Sequence, residues 1–322
     1  MKKELYVGIF ILVVIIAGSL IITPHFFNTN PTDGTINADQ VDRPFATQTS
    51  DVYGKLSHNV SLTTAMPDNP EKILVYKLIP RDYSRQDIIS LGEKFNISPQ
   101  GRIKEGKESI SISDDSGYII LYNNGAIEYT NTNRANTINP IDVPRNLPSD
   151  DEAIRIATNF LKERDLLPGD LVVEGTDHGK IYRVTKNDTT IVEWEDVIVR
   201  YRRMLNGLKA KGSGISIAVG GDGSVIELDS NVKNYTPYEE FSIKSPEAAF
   251  EDLKIQGVPV GEEIPETVSV NEIYLSYHAR PRAFTEEYLE PVWVFKGNVM
   301  VNGSSVMAVE QYIPALKDIP KE

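Results

Sequence analysis

Residues 198–228 read IVRYRRMLNGLKAKGSGISIAVGGDGSVIEL. Asn206-Gly207 sits between strand formers, and Asn-Gly supplies the two positive φ angles of a type I′ hairpin turn. Farther on, Ile215, Ile217 and Val219 alternate with small or polar residues, Gly220-Gly221-Asp222-Gly223 interrupts, and Val225-Ile226-Glu227-Leu228 returns. The stretch therefore reads as two consecutive antiparallel hairpins with one face turned to a core.

The same turn chemistry recurs. Asn124-Gly125 lies in YIILYNNGAIEY and Asn302-Gly303 in VFKGNVMVNGSSVMAV. Ahead of each turn stands a serine at the start of a short amphipathic helix: Ser84 before Arg85, Ser149 before Asp150, Ser245 before Pro246. A serine oxygen accepts an orphan helical N–H, Glu152 takes the capping-box position, and Pro246 sits at the first helical position where its missing N–H costs nothing. Ala153, Ile154, Ala157, Phe160 and Leu161 line one face of the second helix, and Ala249, Phe250 and Leu253 one face of the third. From capping serine to turn asparagine the spacing is 40 residues in the first copy and 57 in each of the other two. Equal spacing argues for duplication. The expected fold class is α+β: a single N-terminal transmembrane helix followed by repeated units, each a helix on its own antiparallel sheet with its own Asn-Gly hairpin.

Arg200, Tyr201, Asn206, Gly207, Gly212 and Gly223 stand in an order that resembles the propeptide of thermolysin-like metalloproteases and the related PepSY modules: a basic residue and an aromatic, Asn-Gly, a glycine, an alternating strand, then a glycine-containing turn. Lys209-Ala210 departs from the family, in which an apolar residue is usual there. No HExxH follows downstream, so the resemblance implies a free-standing module and not the front half of a zymogen. The C-terminal part, LEPVWVFKGN through VMAVEQYIPAL, is similar to membrane-anchored accessory regulators of a cell-wall sensor kinase. These resemblances imply a regulatory or protein-binding role without catalysis.

Leu5–Ile22, LYVGIFILVVIIAGSLII, is an unbroken apolar run behind Lys2 and Lys3. Eighteen helical residues at roughly 1.5 Å each cover about 27 Å, close to the hydrocarbon thickness of a bilayer, and the lysines stay in the cytoplasm. The rival reading is a signal peptide cleaved near Ala17-Gly18-Ser19. The expected organisation is a cytoplasmic end (1–4), a transmembrane helix (5–23), an extracytoplasmic stalk rich in Asn, Thr, Asp and Pro (24–70), a first α+β unit (71–145) and a PepSY-like tandem domain (146–322).

The formal charge of the 322 residues is −13; setting aside Lys2, Lys3 and Glu4, net +1, leaves −14 on the remainder. Such a surface repels phosphate backbones, which excludes nucleic acid as a partner. At 40% hydrophobic residues the chain can build a core, and it contains no cysteine. Disulfides, thiol catalysis and cysteine-ligated metals are thereby excluded.

Chemistry-bearing patterns are sparse. His25, His58, His178 and His278 form no i, i+4 pair for a zinc site, so no metal and no cofactor is expected. Acidic clusters at Glu286-Glu287, Glu262-Glu263 and Glu193/Glu195/Asp196 leave a carboxylate-dependent hydrolase of cell-surface polymer as the alternative function, with a structural envelope protein beside it. Trp194, Arg200, Tyr201, Arg202 and Arg203 fall on one predicted strand, and arginine with aromatics is the composition of binding hot spots. Strand alternation would instead put Trp194 and Tyr201 in the core with the arginines outward. His278, followed by Arg280 and Arg282, completes the candidate binding residues. Sequons at Asn59, Asn96, Asn187 and Asn302 are glycosylation candidates, Asn302 inside a tight turn. The expected partners are the membrane, through one span, and a protein of the cell envelope.

Overall fold

The structure is a computed structural model that describes residues 55–135, 146–179, 181–186, 189–194, 196–260, 267–284 and 286–317. The apolar run Leu5–Ile22, most of the stalk, His25, Asn187 and Glu262-Glu263 lie outside the described residues. In chain order the elements are β1 (Leu56–Ser57), β2 (Val60–Leu62), β3 (Lys72–Leu78), α1 (Arg85–Lys94), β4 (Arg102–Glu105), β5 (Ser109–Ser113), β6 (Gly117–Tyr122), β7 (Ile127–Asn131), α2 (Thr132–Ala135), α3 (Asp150–Glu163), β8 (Leu171–His178), β9 (Ile181–Lys186) and β10 (Thr189–Trp194). There follow β11 (Asp196–Leu205), β12 (Leu208–Gly220), β13 (Val225–Ser230), β14 (Tyr235–Ser242), α4 (Pro246–Gln256), β15 (Val258–Pro259), β16 (Thr267–His278), β17 (Tyr288–Val301) and β18 (Ser304–Pro314). The chain is α+β with strand predominating. Among the described residues no helix is long and apolar enough to cross a membrane.

The chain divides into two compact units. The larger holds residues 68–245, 274–293 and 314–322; the smaller holds 1–67, 246–273 and 294–313. In the larger unit β4, β5, β6 and β7 form an antiparallel meander, and β7 pairs onward with β13, β13 with β12, β12 with β11 and β11 with β8. Tyr277 and His278, at the end of β16, pair in parallel with Ala210 and Lys211 of β12. On β3, β14 pairs along one side and Tyr288 and Leu289 of β17 along the other. In the smaller unit β1 pairs with β15, Val60 of β2 pairs in parallel with Val268 of β16, and Phe250 of α4 packs on Phe295, ring centres 6.0 Å apart.

The expected hairpins form, with one correction. Asn206 and Gly207 have φ of 49° and 76°, and Asn302 and Gly303 have 50° and 72°, the left-handed pair of a type I′ turn. At Asn124-Gly125 only the glycine is left-handed, with φ 95°, and its N–H donates to Tyr122 O. That loop has three residues, Asn123, Asn124 and Gly125, and the extra one changes the turn to type I closed by a left-handed glycine. Gly221-Asp222-Gly223 uses the same solution, with Gly223 at 75° and its N–H on Gly220 O.

The helix starts also follow local chemistry. Ser84 accepts the Asp87 N–H, and the Asp87 carboxylate returns to the Ser84 N–H in a complete capping box. Ser149 accepts the Glu152 N–H, but the Glu152 carboxylate turns to Arg155 instead of closing a box. A guanidinium one turn along the helix competes for the carboxylate that would otherwise close it.

The repeated helix-plus-sheet architecture is overturned. α1 and α3 do not each cover a sheet of their own: Ile88, Phe95 and Ile97 join Ala153, Ala157 and Leu161 in one hydrophobic cluster with Ile112, Ile119, Val199, Tyr201, Ile217 and Leu228. The cause is the pairing of β7 with β13, Leu228 opposite Tyr129, which fuses the strands under α1 to those under α3. Burying an aliphatic side chain contributes about 1.5–3 kcal/mol, so a shared cluster of this size stabilises one large sheet-rich body over two small ones. Phe95 and Tyr129 of this cluster meet the partly buried Phe160 in tilted and edge-on contacts, with centroids 4.6 to 6.3 Å apart.

Candidate functional site

β11 presents its side chains alternately to the helix layer and to the opposite face. Tyr201 enters the core, and its hydroxyl is 2.8 Å from Thr158 Oγ1 of α3. Burial pushes that phenol's pKa up, which keeps it a neutral hydrogen-bonding group. Arg200 and Arg202 face the other way and meet carboxylates of β8. Arg202 grips Glu174 with two bonds, Nε to Oε1 at 3.1 Å and Nη2 to Oε2 at 2.6 Å, while Arg200 Nη2 lies 3.4 Å from Asp177 Oδ2. Partial burial works to raise the Glu174 carboxyl's pKa, but the bidentate guanidinium outweighs it and holds the value below the usual range. Opposite Arg200 stands Gly175 and opposite Tyr201 stands Val173, so Glu174 is an extra residue, bulged out of the ladder towards its arginine.

β8 pairs only with β11 among the described residues, so its other edge is open. The strand has no proline, and Val172 and Val173 are 47% and 43% exposed. Two other edges of this unit, β4 and β14, are blunted. β4 is four residues long and reads Arg-Ile-Lys-Glu, while β14 carries Pro237, a bulge between Pro237 and Glu239, and two exposed glutamates. Short length, charge, proline and bulges all discourage an added strand.

Arg203 belongs to a different cluster. Its Nε donates to Asp170 Oδ2 at 2.7 Å and its Nη1 to the Lys233 carbonyl at 2.8 Å. The Lys233 side chain is completely buried, and Glu286, 5% exposed, accepts from its ammonium. Glu286 also accepts from the Tyr235 hydroxyl at 2.6 Å and from the Arg280 N–H at 3.0 Å. Desolvation drives the Lys233 pKa down and the Tyr235 pKa up, with Glu286 opposing the first shift and reinforcing the second. Close by, burial pushes the Glu290 carboxyl up to about 8, Arg280 opposing and Glu286 reinforcing.

Beside this cluster, between the end of α3 and the segment 228–235, opens a cleft of 670 Å³. Arg203, Lys233 and Tyr235 line it together with Lys162, Asp165, Leu166, Leu167 and Val232. Neither Glu286 nor Glu290 lines it, so this carboxylate pair does not face the cavity as glycoside hydrolysis would require.

The residues singled out from sequence are thus dispersed. Trp194 ends β10, a different strand from β11, whose hairpin partner is β9. Arg200 and Arg202 share one face, Tyr201 is core, and Arg203 turns to the cleft. His278, half-buried, ends β16 opposite Lys211. Asn59 and Asn96 are exposed, and Asn302 is exposed despite its tight turn. Glu287 pairs with Lys77 at 3.3 Å, and Asp196 is buried. Among the described residues no group of three His, Asp or Glu is placed to hold a metal. Lys233, Tyr235, Asp170 and the carboxylates of β8 were not singled out. Glu174 and Asp177 stand three residues apart, an odd spacing that regular alternation would put on opposite faces; only the bulge brings both to the arginines, so strand periodicity does not reveal the ladder.

No protein-family model matches the chain, and no curated protein matches it in sequence. Among solved structures it is similar to an uncharacterized protein from Eubacterium rectale, 16% identical, with a TM-score of 0.43 over 79% of this chain and 86% of that one. A likeness of that size fixes neither fold nor function.

Proposed function

We propose that the chain is a membrane-anchored, extracytoplasmic binding module of the PepSY-like kind, which takes an extended segment of an envelope protein, a peptidase or the sensor region of a signalling protein, on the open edge of β8. The supporting observation is that edge: eight residues without proline, hydrogen-bonded on one side only among the described residues, with two adjacent exposed valines. Main-chain hydrogen bonds to such an edge supply affinity, and side chains on the two faces supply selectivity. Arg200 and Arg202, already neutralised by Asp177 and Glu174, hold β8 in place and leave the valines as the contact.

The test is cross-linking and co-purification of envelope proteins with the full chain in its native membrane. Placing charge on the edge, by Val172→Asp with Val173→Lys, should lower capture of the specific partner at least tenfold while the melting temperature holds. Unchanged capture by that double variant refutes the assignment to β8. Turnover of a peptide or glycan by the purified chain, abolished by changing one carboxylate, refutes the non-catalytic reading.

A further inference from the structure

The 670 Å³ cleft of the larger unit is separate in its lining from the β8 edge, and its chemistry is of another kind. Of its lining, Ile127, Ile215 and Leu228 are buried and form the floor, whereas Leu166, Leu167 and Val232 are half-buried and stand around it. Tyr235 is the one aromatic ring in the lining, so the surface suits a flexible aliphatic body better than a flat aromatic one. Its volume lies in the range of small-molecule sites.

The charges around it cancel in pairs, with one exception. Asp165 is held by Lys94 at 2.9 Å, Asp170 by Arg203, and Glu286 by Lys233. Lys162, exposed and lining the cleft, has no ion-pair partner among the described residues. In a chain of net charge −13 this leaves a cleft of mixed lining, aliphatic on one part and polar on the rest, with a single uncompensated cation among the described residues. We propose that the cleft binds a medium-chain aliphatic monocarboxylate, with its hydrocarbon on the Ile127, Ile215 and Leu228 floor and its carboxylate at Lys162. One negative charge matches the one free ammonium. A phosphate monoester, with nearly two, would leave charge unpaired over an apolar surface.

The test uses the full chain in its membrane and a photoreactive dodecanoate, with labelled peptides mapped by mass spectrometry. Labelling should fall on residues 162–168 and 228–235, and excess dodecanoate should compete it away. Decanoate should need about fifteenfold more, because each buried methylene contributes about fourfold in affinity. Methyl dodecanoate, which keeps the chain and loses the charge, should compete at least tenfold less well than dodecanoate. Lys162→Glu should reduce labelling at least tenfold with the melting temperature unchanged, Lys162→Arg should restore it, and Lys104→Glu on distant β4 should have no effect. Labelling confined to other peptides, equal competition by the methyl ester, or full labelling of the Lys162→Glu protein would each overturn the proposal.

Discussion

Two sets of ion pairs in the larger unit use similar chemistry in opposite surroundings. Lys233 and Glu286 are buried, with side chains 0% and 5% exposed, whereas Arg202 and Glu174 are 20% and 32% exposed and Arg200 and Asp177 are 24% and 57% exposed. In the interior each charge loses its water, so the pair holds only while both partners and their auxiliary bonds are present. At the surface, water replaces a missing partner at little cost. The buried set therefore sets where the chain segments 233–235 and 280–290 must meet, and the surface set trims the register of two strands already paired through their backbones.

The largest test of this contrast is Glu286→Ala, which strands the Lys233 ammonium in the interior and should cost about 3–5 kcal/mol in chemical denaturation. Replacing both partners by apolar residues, Lys233→Met with Glu286→Leu, should recover most of that loss. If the double variant is as unstable as the single one, the cluster does more than compensate its own charges. Next comes Glu290. Its folded pKa of about 8 lies above the ordinary carboxyl value of 4.5, so the folded state holds this proton more tightly than the unfolded state does. Its contribution to stability is therefore complete at low pH and is lost as pH rises from about 4.5 to about 8. Glu290→Gln should flatten that slope and stabilise the protein at pH 8 by about 2–4 kcal/mol, read from melts across the pH range.

A smaller effect is expected at Gly207, which turns the hairpin carrying the surface ladder. A Cβ there meets nothing within 4 Å, so Gly207→Val acts through its positive φ alone and should cost about 1–3 kcal/mol. Smallest of all, Arg202→Ala should change stability by about 1 kcal/mol or less, a difference that shrinks further in high salt. A loss as large as that of Glu286→Ala would erase the distinction between the two sets.

What could be read from sequence was local. Asn206-Gly207 and Asn302-Gly303 form their turns because both positive φ angles belong to adjacent residues, and Ser84 and Ser149 cap because their partners lie three residues on. The duplication failed because two equal spacings of 57 residues say nothing about which strand pairs with which; β7 meeting β13 is a contact between distant segments. The arginines of β11 were read as free for a partner, since their carboxylates arrive on β8 and, for Arg203, at Asp170 just before it, 23 to 33 residues earlier in the chain. Lys233 carried no sequence signal, its acid being 53 residues away.

That last separation bears on how the protein is made. Because the larger unit is built from 68–245 and 274–293 with a segment of the smaller unit between them, it cannot close as it leaves the ribosome. At about 5–20 residues per second, Lys233 waits several seconds in the nascent chain before Glu286 is synthesised. Throughout that interval the future cluster is a lysine without its acid, and the ammonium has every reason to stay in water. The order of translation thus keeps the segment after β13 unlocked until α4 and β16 have been synthesised and Glu286 has followed them.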